Sequence, residues 1–260
     1  MKFTRMFAML LCAAVLPATM WADNDKDNCD ALPSNGQLKA QLSSAVNTSP
    51  NGFGLNMWAT IVDRDGIVCA VAFTGPDRGA QWPGSRVISA QKANTANAFG
   101  LDGVAISTAN LYSAVQPGGS LFGLQESNPV DTDVAYKGPS SNYGKSNDPM
   151  VGSKIGGVNV FGGGLALYNT KGKIVGAVGV SGDSSCEDHQ VAWRVRNLLN
   201  LDYLKGKGGF SGDPDRIDNI VFDINPVSGK SASGWGHPLC GAPNGDGTPG
   251  TLPATKTPVP

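Results

Sequence analysis

Between Ile174 and Arg196 a strand of small apolar residues, Ile174-Val-Gly-Ala-Val-Gly-Val-Ser181, runs through Gly182 and Asp183 into a helix opened by Ser184. A strand this apolar on both faces belongs inside a sheet, and its glycines admit another backbone at close range. A strand-to-helix junction is also where α/β proteins place ligands, because the helix N-terminus offers unpaired N–H groups and positive potential. Ser184-x-x-Glu187 reads as a capping box, and Val191, Val195 and Leu198, helped by Ala192 and Leu199, supply the buried face. His189, one of only two histidines, lies two positions from Val191 and so about 200° round the helix from it. It shares a stripe with Cys186, Trp193 and Arg196. That spacing predicts an exposed imidazole flanked by an aromatic ring and a cation.

The first 22 residues read as a secretory signal peptide: Lys2 and Arg5, an apolar run from Met6 to Leu16, then Pro17-Ala-Thr-Met-Trp-Ala22. Cys12 falls inside that run, and no later stretch is apolar enough for a membrane span. The mature chain is therefore expected to be periplasmic or secreted. Loss of the leader removes two basic residues and no acidic ones, taking the net charge from −1 to −3. With no basic run, nucleic acid is not an expected partner. Four cysteines remain, Cys29, Cys69, Cys186 and Cys240, and an exported chain is expected to join them as two disulfides. Spacing does not choose among three pairings; Cys29–Cys69 with Cys186–Cys240 is the one expected here.

Ser34 or Asn35 caps a first helix through Leu38, Leu42 and Val46. Leu55–Asp63 and Ile67–Phe73 form a hairpin about Asp65-Gly66, and Leu165–Tyr168 with Lys173–Ser181 form another about Asn169–Gly172. The two hairpins resemble one another, each ending in Thr/Ser-Gly. Ser85 is expected to cap a second helix, and Ser107 to start a shorter one broken by Pro117-Gly-Gly119. These elements imply an α+β (α/β layer) fold, an antiparallel sheet packed with helices. From Leu124 to Lys154 the chain is polar and aperiodic, and a loop this long is usually functional or wraps a neighbour. Beyond Gly241 it is rich in Gly, Pro and Thr and expected to be mobile.

Gly176, Gly179 and Gly182 do not form the G-x-G-x-x-G dinucleotide fingerprint, and neither a G-x-S-x-G elbow nor a P-loop is present. Cys186-x-x-His189 and His237-x-x-Cys240 mirror each other as a Cys₂His₂ zinc pattern would. In an exported chain the two cysteines are more readily joined to each other. His189 has two readings: a surface histidine beside a disulfide, or an axial contact for a planar, anionic, metal-bearing ligand, with Trp193 and Arg196 beside it. Arg86 and Lys92, six residues apart on the second helix, are candidates for a ligand's carboxylates or members of a solvated helix face. Arg78 is a further cation, and Trp58 and Trp82 read as packing residues.

Several segments resemble the GlcG/HbpS haem-binding family. They are Gly162-Gly-Gly-Leu-Ala-Leu-Tyr168, Gly172-Lys-Ile-Val-Gly-Ala-Val-Gly-Val-Ser-Gly-Asp183 and Glu187-Asp-His-Gln-Val-Ala192. Val62-Asp-Arg-Asp-Gly66, Ser89-Ala-Gln-Lys-Ala-Asn-Thr-Ala-Asn-Ala-Phe99 and Pro117-Gly-Gly-Ser-Leu-Phe-Gly-Leu124 complete the likeness, which runs from Leu38 to Leu201. The resemblance implies a profilin-like fold of GlcG/HbpS type, assembly into a homo-oligomer (dimer or octamer), and haem or a related tetrapyrrole as cofactor and partner. It divides the chain into a signal peptide at 1–22, a haem-binding domain at 23–204 with an insert at 125–157, an extension at 205–240 and a flexible tail at 241–260. Under that reading His189 holds the haem iron, while Arg86, Lys92, Trp193 and Arg196 line the cofactor. The function expected is haem binding for uptake, sequestration or sensing. The alternatives are a haem-degrading or peroxide-consuming oxidoreductase and a cofactor-free oligomeric module. The insert, the cysteines and the chain beyond Leu204 depart from the family pattern, and no ligand position carries over from it.

Overall fold

A computed structural model describes residues 29–260. The signal peptide expected at 1–22 lies outside the described residues. The main elements are α1 (Asn35–Thr48), β1 (Trp58–Asp63), β2 (Val68–Phe73), α2 (Ser85–Phe99), α3 (Thr132–Ala135), β3 (Gly164–Tyr168), β4 (Ile174–Ser181) and α4 (Ser185–Leu198). The strands form one antiparallel sheet in the order β2-β1-β4-β3. The second hairpin therefore lies beside the first as a translated copy, with β1 against β4 at the join. Asp65-Gly66 makes the first reversal: Gly66 takes φ 79°, and Asp63 Oδ1 accepts the N–H groups of Asp65 and Ile67 at 2.9 Å.

Both faces of the sheet are covered, which is why its strands read as nearly continuous apolar runs. Ala59, Ile61, Val178 and Val180 point toward α1 and α4, where they meet Leu38, Leu42, Val191 and Val195. Trp58, Val62 and Ala177 point the other way, toward Val87, Ala90, Ala93 and Ala96 of α2. The period-2 alternation thus sorts one strand between two cores. Glycines and alanines bring α2 close to the sheet: a Cβ on Gly179 would lie 2.5 Å from Ala93 N, and one on Gly164 would strike the Lys92 carbonyl.

Helix starts differ in part from the sequence reading. Ser34 caps α1 in a full capping box with Gln37. Ser85 is the first residue of α2, not its cap; Gly84 holds that place without a side-chain bond. Ser107 opens two 3₁₀ turns, Thr108–Leu111 and Ser113–Val115, in place of an α-helix. At α4 only half of the expected box forms. Ser184 Oγ accepts from Glu187 N–H at 3.2 Å, while the Ser184 N–H is donated to Asp183 at 2.6 Å. Asp183 is thereby held at the positive end of the helix.

The two disulfides are Cys29–Cys69, which ties the chain ahead of α1 to β2, and Cys186–Cys240, which ties the C-terminal extension to α4. The insert at 125–157 is not free of the fold: Ala135, Met150 and Ile155 join the α2-side core, and the Val68 backbone is bonded to Gly152 and Ser153. The chain beyond Gly241, expected to be mobile from its composition, is mostly exposed but is anchored at several points. Leu252 enters the α1/α4 core, Trp193 Nε1–H donates to the Pro253 carbonyl at 2.9 Å, and Thr255 is buried. A few anchors suffice to dock a Gly/Pro chain against a helix that needs covering.

Candidate functional site

The stripe Cys186, His189, Trp193 and Arg196 forms as the helical spacing requires. The His189 and Trp193 ring centroids are 6.0 Å apart, and the Arg196 guanidinium sits 4.5 Å from the Trp193 ring. The expectation that this stripe is exposed is overturned. Cys186, His189, Trp193 and Arg196 are all buried beneath residues 217–253 of the extension and tail. Helical periodicity identified the stripe opposite Val191, but not that the chain's own C-terminus covers it.

His189 Nε2 lies 3.1 Å from Asn219 Oδ1 and 3.2 Å from Ile220 N, while its Nδ1 has no partner among the described residues. Burial lowers its pKa from 6.5 to about 3, so the ring is neutral. Arg196 makes a two-pronged ion pair with Asp218, at 2.6 and 2.8 Å, and also donates to the Ala166 carbonyl. Neither residue turns a functional group toward solvent.

The two cations predicted on α2 are also spent internally. Lys92 Nζ reaches past the end of the sheet to Asp188 on α4 (2.7 Å) and to the Val180 carbonyl, fastening the two helical layers together. Arg86 pairs with Asp148 of the insert, donates to the Ala135 carbonyl at 2.7 Å and stacks 3.6 Å from the Tyr143 ring. Both are buried, contrary to the solvated helix face considered from sequence. Arg86 nevertheless borders a cleft.

That cleft, about 880 Å³, opens at the start of α2 and is lined by Trp58, Arg78, Pro83, Val87, Tyr136 and Tyr143 among others. Its far wall is the insert, so the long polar loop contributes a wall of aromatic residues. Trp58 is buried, and its indole N–H has no partner among the described residues. Tyr136 is 60% exposed, leaving its ring available at the mouth. Sequence reading put Trp58 with the packing residues and did not single out Tyr136 or Tyr143. The available signal was an aromatic pair inside an aperiodic insert.

Carboxylates cluster at the start of α4. Asp183 accepts from the N–H groups of Phe53 (2.8 Å) and Leu55 (3.0 Å), holding the 49–55 loop across the helix. Burial raises the Glu187 pKa from 4.5 to about 7, outweighing Ser49 and Arg194, which pull it down. Between pH 4.5 and 7 the folded chain then binds more protons at Glu187 than the unfolded chain, so this group lowers stability as pH rises. His189 acts in the opposite sense, costing stability as pH falls from 6.5 toward 3. Urea unfolding across pH should show Glu187→Gln gaining on the wild type by on the order of 2–3 kcal/mol between pH 4.5 and 7, then running parallel to it. Parallel curves throughout would show that Glu187 titrates normally in the fold.

The family of haem degrading proteins described as HbpS-like matches residues 37–196, more than half of the chain, and this protein belongs to it. A comparison with curated proteins returned no match. Among solved structures, a PduOC:heme complex is 23% identical, with 64% of this chain and 91% of that one covered and a TM-score of 0.44. The Klebsiella pneumoniae protein ORFY is 24% identical over 64% of this chain and 90% of its own, with a TM-score of 0.43. A doubly substituted HbpS of Streptomyces reticuli is 13% identical over 75% and 99%, with a TM-score of 0.38. The α+β layer expected from the sequence is the fold observed. No helix among the described residues is long and apolar enough to cross a membrane.

Proposed function

We propose that this protein binds haem or a related tetrapyrrole in the cleft at the start of α2, outside the cytoplasm. Family membership supports the ligand class, and the cleft is the observation that carries its location. About 880 Å³ falls within the range of small-molecule sites. The wall offers aromatic faces for a planar ring, the buried N–H of Trp58 lacks an acceptor among the described residues, and the Arg78 guanidinium suits a carboxylate. Phenolate oxygen is an established haem ligand type, and Tyr136 is the cleft residue that would supply it. His189 does not fit the iron-binding role expected of it, because its imidazole is sealed beneath the extension and engaged with Asn219 and Ile220. Bound haem would supply a redox-active iron; the chain's part is to stack the ring, pair its carboxylates and restrict water. Two disulfides and the leader-like N-terminus support export.

Titration of the purified protein with haemin should give saturable 1:1 binding with a changed Soret band. Tyr136→Phe should alter the band itself. Arg78→Ala should weaken binding on the order of tenfold while leaving the band unchanged, as loss of one charge-assisted contact does. An unchanged Soret band, or one altered by His189→Gln but not by Tyr136→Phe, would overturn the placement. The family's description favours a second reading, in which the bound haem is degraded. Bleaching of the Soret band on adding a reductant in air, beyond that of free haemin, would separate turnover from storage.

A further inference from the structure

The Cys186–Cys240 disulfide stands beside a second polar group that the cleft does not use. The side-chain ligand atoms of Cys186, Cys240 and His237 all lie within 4.8 Å of one another. His237 is buried against Tyr112, with ring centroids 5.2 Å apart. Its Nδ1–H donates to the Pro238 carbonyl at 2.7 Å, which leaves Nε2 as the atom bearing the lone pair. A histidine fixed through Nδ1–H to a backbone carbonyl, with Nε2 presented, is oriented as metal-bound imidazoles are. Ser185 Oγ is 3.3 Å from both Nε2 and the Cys240 sulfur, adding an oxygen as a fourth neighbour.

We propose that these residues form a metal site masked by the disulfide, and that reduction opens it to a borderline divalent cation such as Zn²⁺. A dithiol reductant supplies two electrons and two protons to the S–S bond and leaves as its own cyclic disulfide. Metal binding then displaces the two thiol protons, and two thiolates with His237 Nε2 make a Cys₂His set, with Ser185 or water in the fourth place. Cys186 lies in the first turn of α4, and its N–H already donates to the Cys240 sulfur at 3.1 Å. The Cα atoms of the two cysteines are 6.1 Å apart, so they remain near enough to share one ion once the bond is cut. Cys240 is half-buried rather than sealed and gives the reductant access. The Cys₂His₂ pattern considered from sequence differs in one ligand: His189 is engaged with Asn219 and is not part of the group.

The test uses Co²⁺ as a spectroscopic probe of the full-length mature protein. A Cys29→Ser/Cys69→Ser background removes the other cysteine pair, which lies beside Asp63; the wild type is run in parallel in case that background folds poorly. Oxidised protein should show no thiolate-to-cobalt charge-transfer band. After dithiol reduction and removal of the reductant without oxygen, the band should appear and saturate at one Co²⁺, and Zn²⁺ should displace it. His237→Ala should weaken Co²⁺ binding by on the order of 100-fold or more while the oxidised variant keeps its circular dichroism. His189→Gln should leave the band unchanged. Absence of the band in both reduced proteins, or its persistence at full affinity in His237→Ala, would overturn the proposal. These outcomes are independent of haemin uptake.

Discussion

Asp218→Ala is expected to cost this protein about 3–5 kcal/mol, enough to unfold much of a marginally stable population. Asp218 and Arg196 are both fully buried, and the guanidinium meets the carboxylate in two bonds at 2.6 and 2.8 Å. Removing the carboxylate leaves a cation with the Ala166 carbonyl and the Trp193 ring in place of a counter-charge. The loss measures an unpaired buried charge, not the net worth of the pair. The double variant Arg196→Met/Asp218→Leu should therefore recover most of the stability. Urea midpoints of the two single variants and the double variant decide the matter. A double variant as unstable as Asp218→Ala would show that the pair holds the extension to α4 by directionality rather than by charge balance.

Gly179→Ala is expected to destabilise by about 2–4 kcal/mol, at the upper end of overpacking costs. The added methyl would strike the Ser89 carbonyl and lie 2.5 Å from Ala93 N, both backbone atoms of α2. No flexible side chain can yield, so the helix must move off the sheet, loosening the Thr60–Ser89 hydroxyl contact of 2.8 Å as well. Gly36→Ala is the control: a methyl there meets nothing within 4 Å, and the helix should hold or gain a few tenths of a kcal/mol. Equal melting shifts for the two variants would refute close packing of α2 as the cause. Because α2 also supplies Val87 and Arg86 to the cleft, Gly179→Ala should weaken haemin uptake too.

The hairpins were readable because their signals are local. Asp65-Gly66 and Asn169–Gly172 specify reversals, and the apolar runs around them specify strands, so three of the four strands have both bounds within a residue of where the sequence places them, while β1 ends as expected at Asp63 but starts at Trp58 rather than Leu55. The glycines of β4 were likewise legible as sites of close approach. Helix caps were read less well, since Ser184 had a competitor in Asp183 and Gly84 needed no side-chain cap at all. The largest misreading concerned α4. Its stripe was found by periodicity, but its exposure depended on residues 217–253, which lie distant in sequence and lack any periodic signal.

For the candidate site the division is sharper. From sequence Arg86 and Lys92 read as ligand-binding cations or as a solvated helix face; only the fold shows that both are buried and that Asp148 and Asp188 neutralise them. Tyr136 and Tyr143 sit in a stretch without pattern, and they acquire meaning only because Arg86 and Asp148 pin the insert against α2.

The amino-acid sequence by itself determined the sheet, its helical cover, the family and the chemistry available, because each rests on neighbours a few residues apart. Only the tertiary structure decided which of those groups face solvent. Burial is set by segments distant in sequence, and here Asn219 and Ile220 fold back onto His189 while Tyr136 is left open.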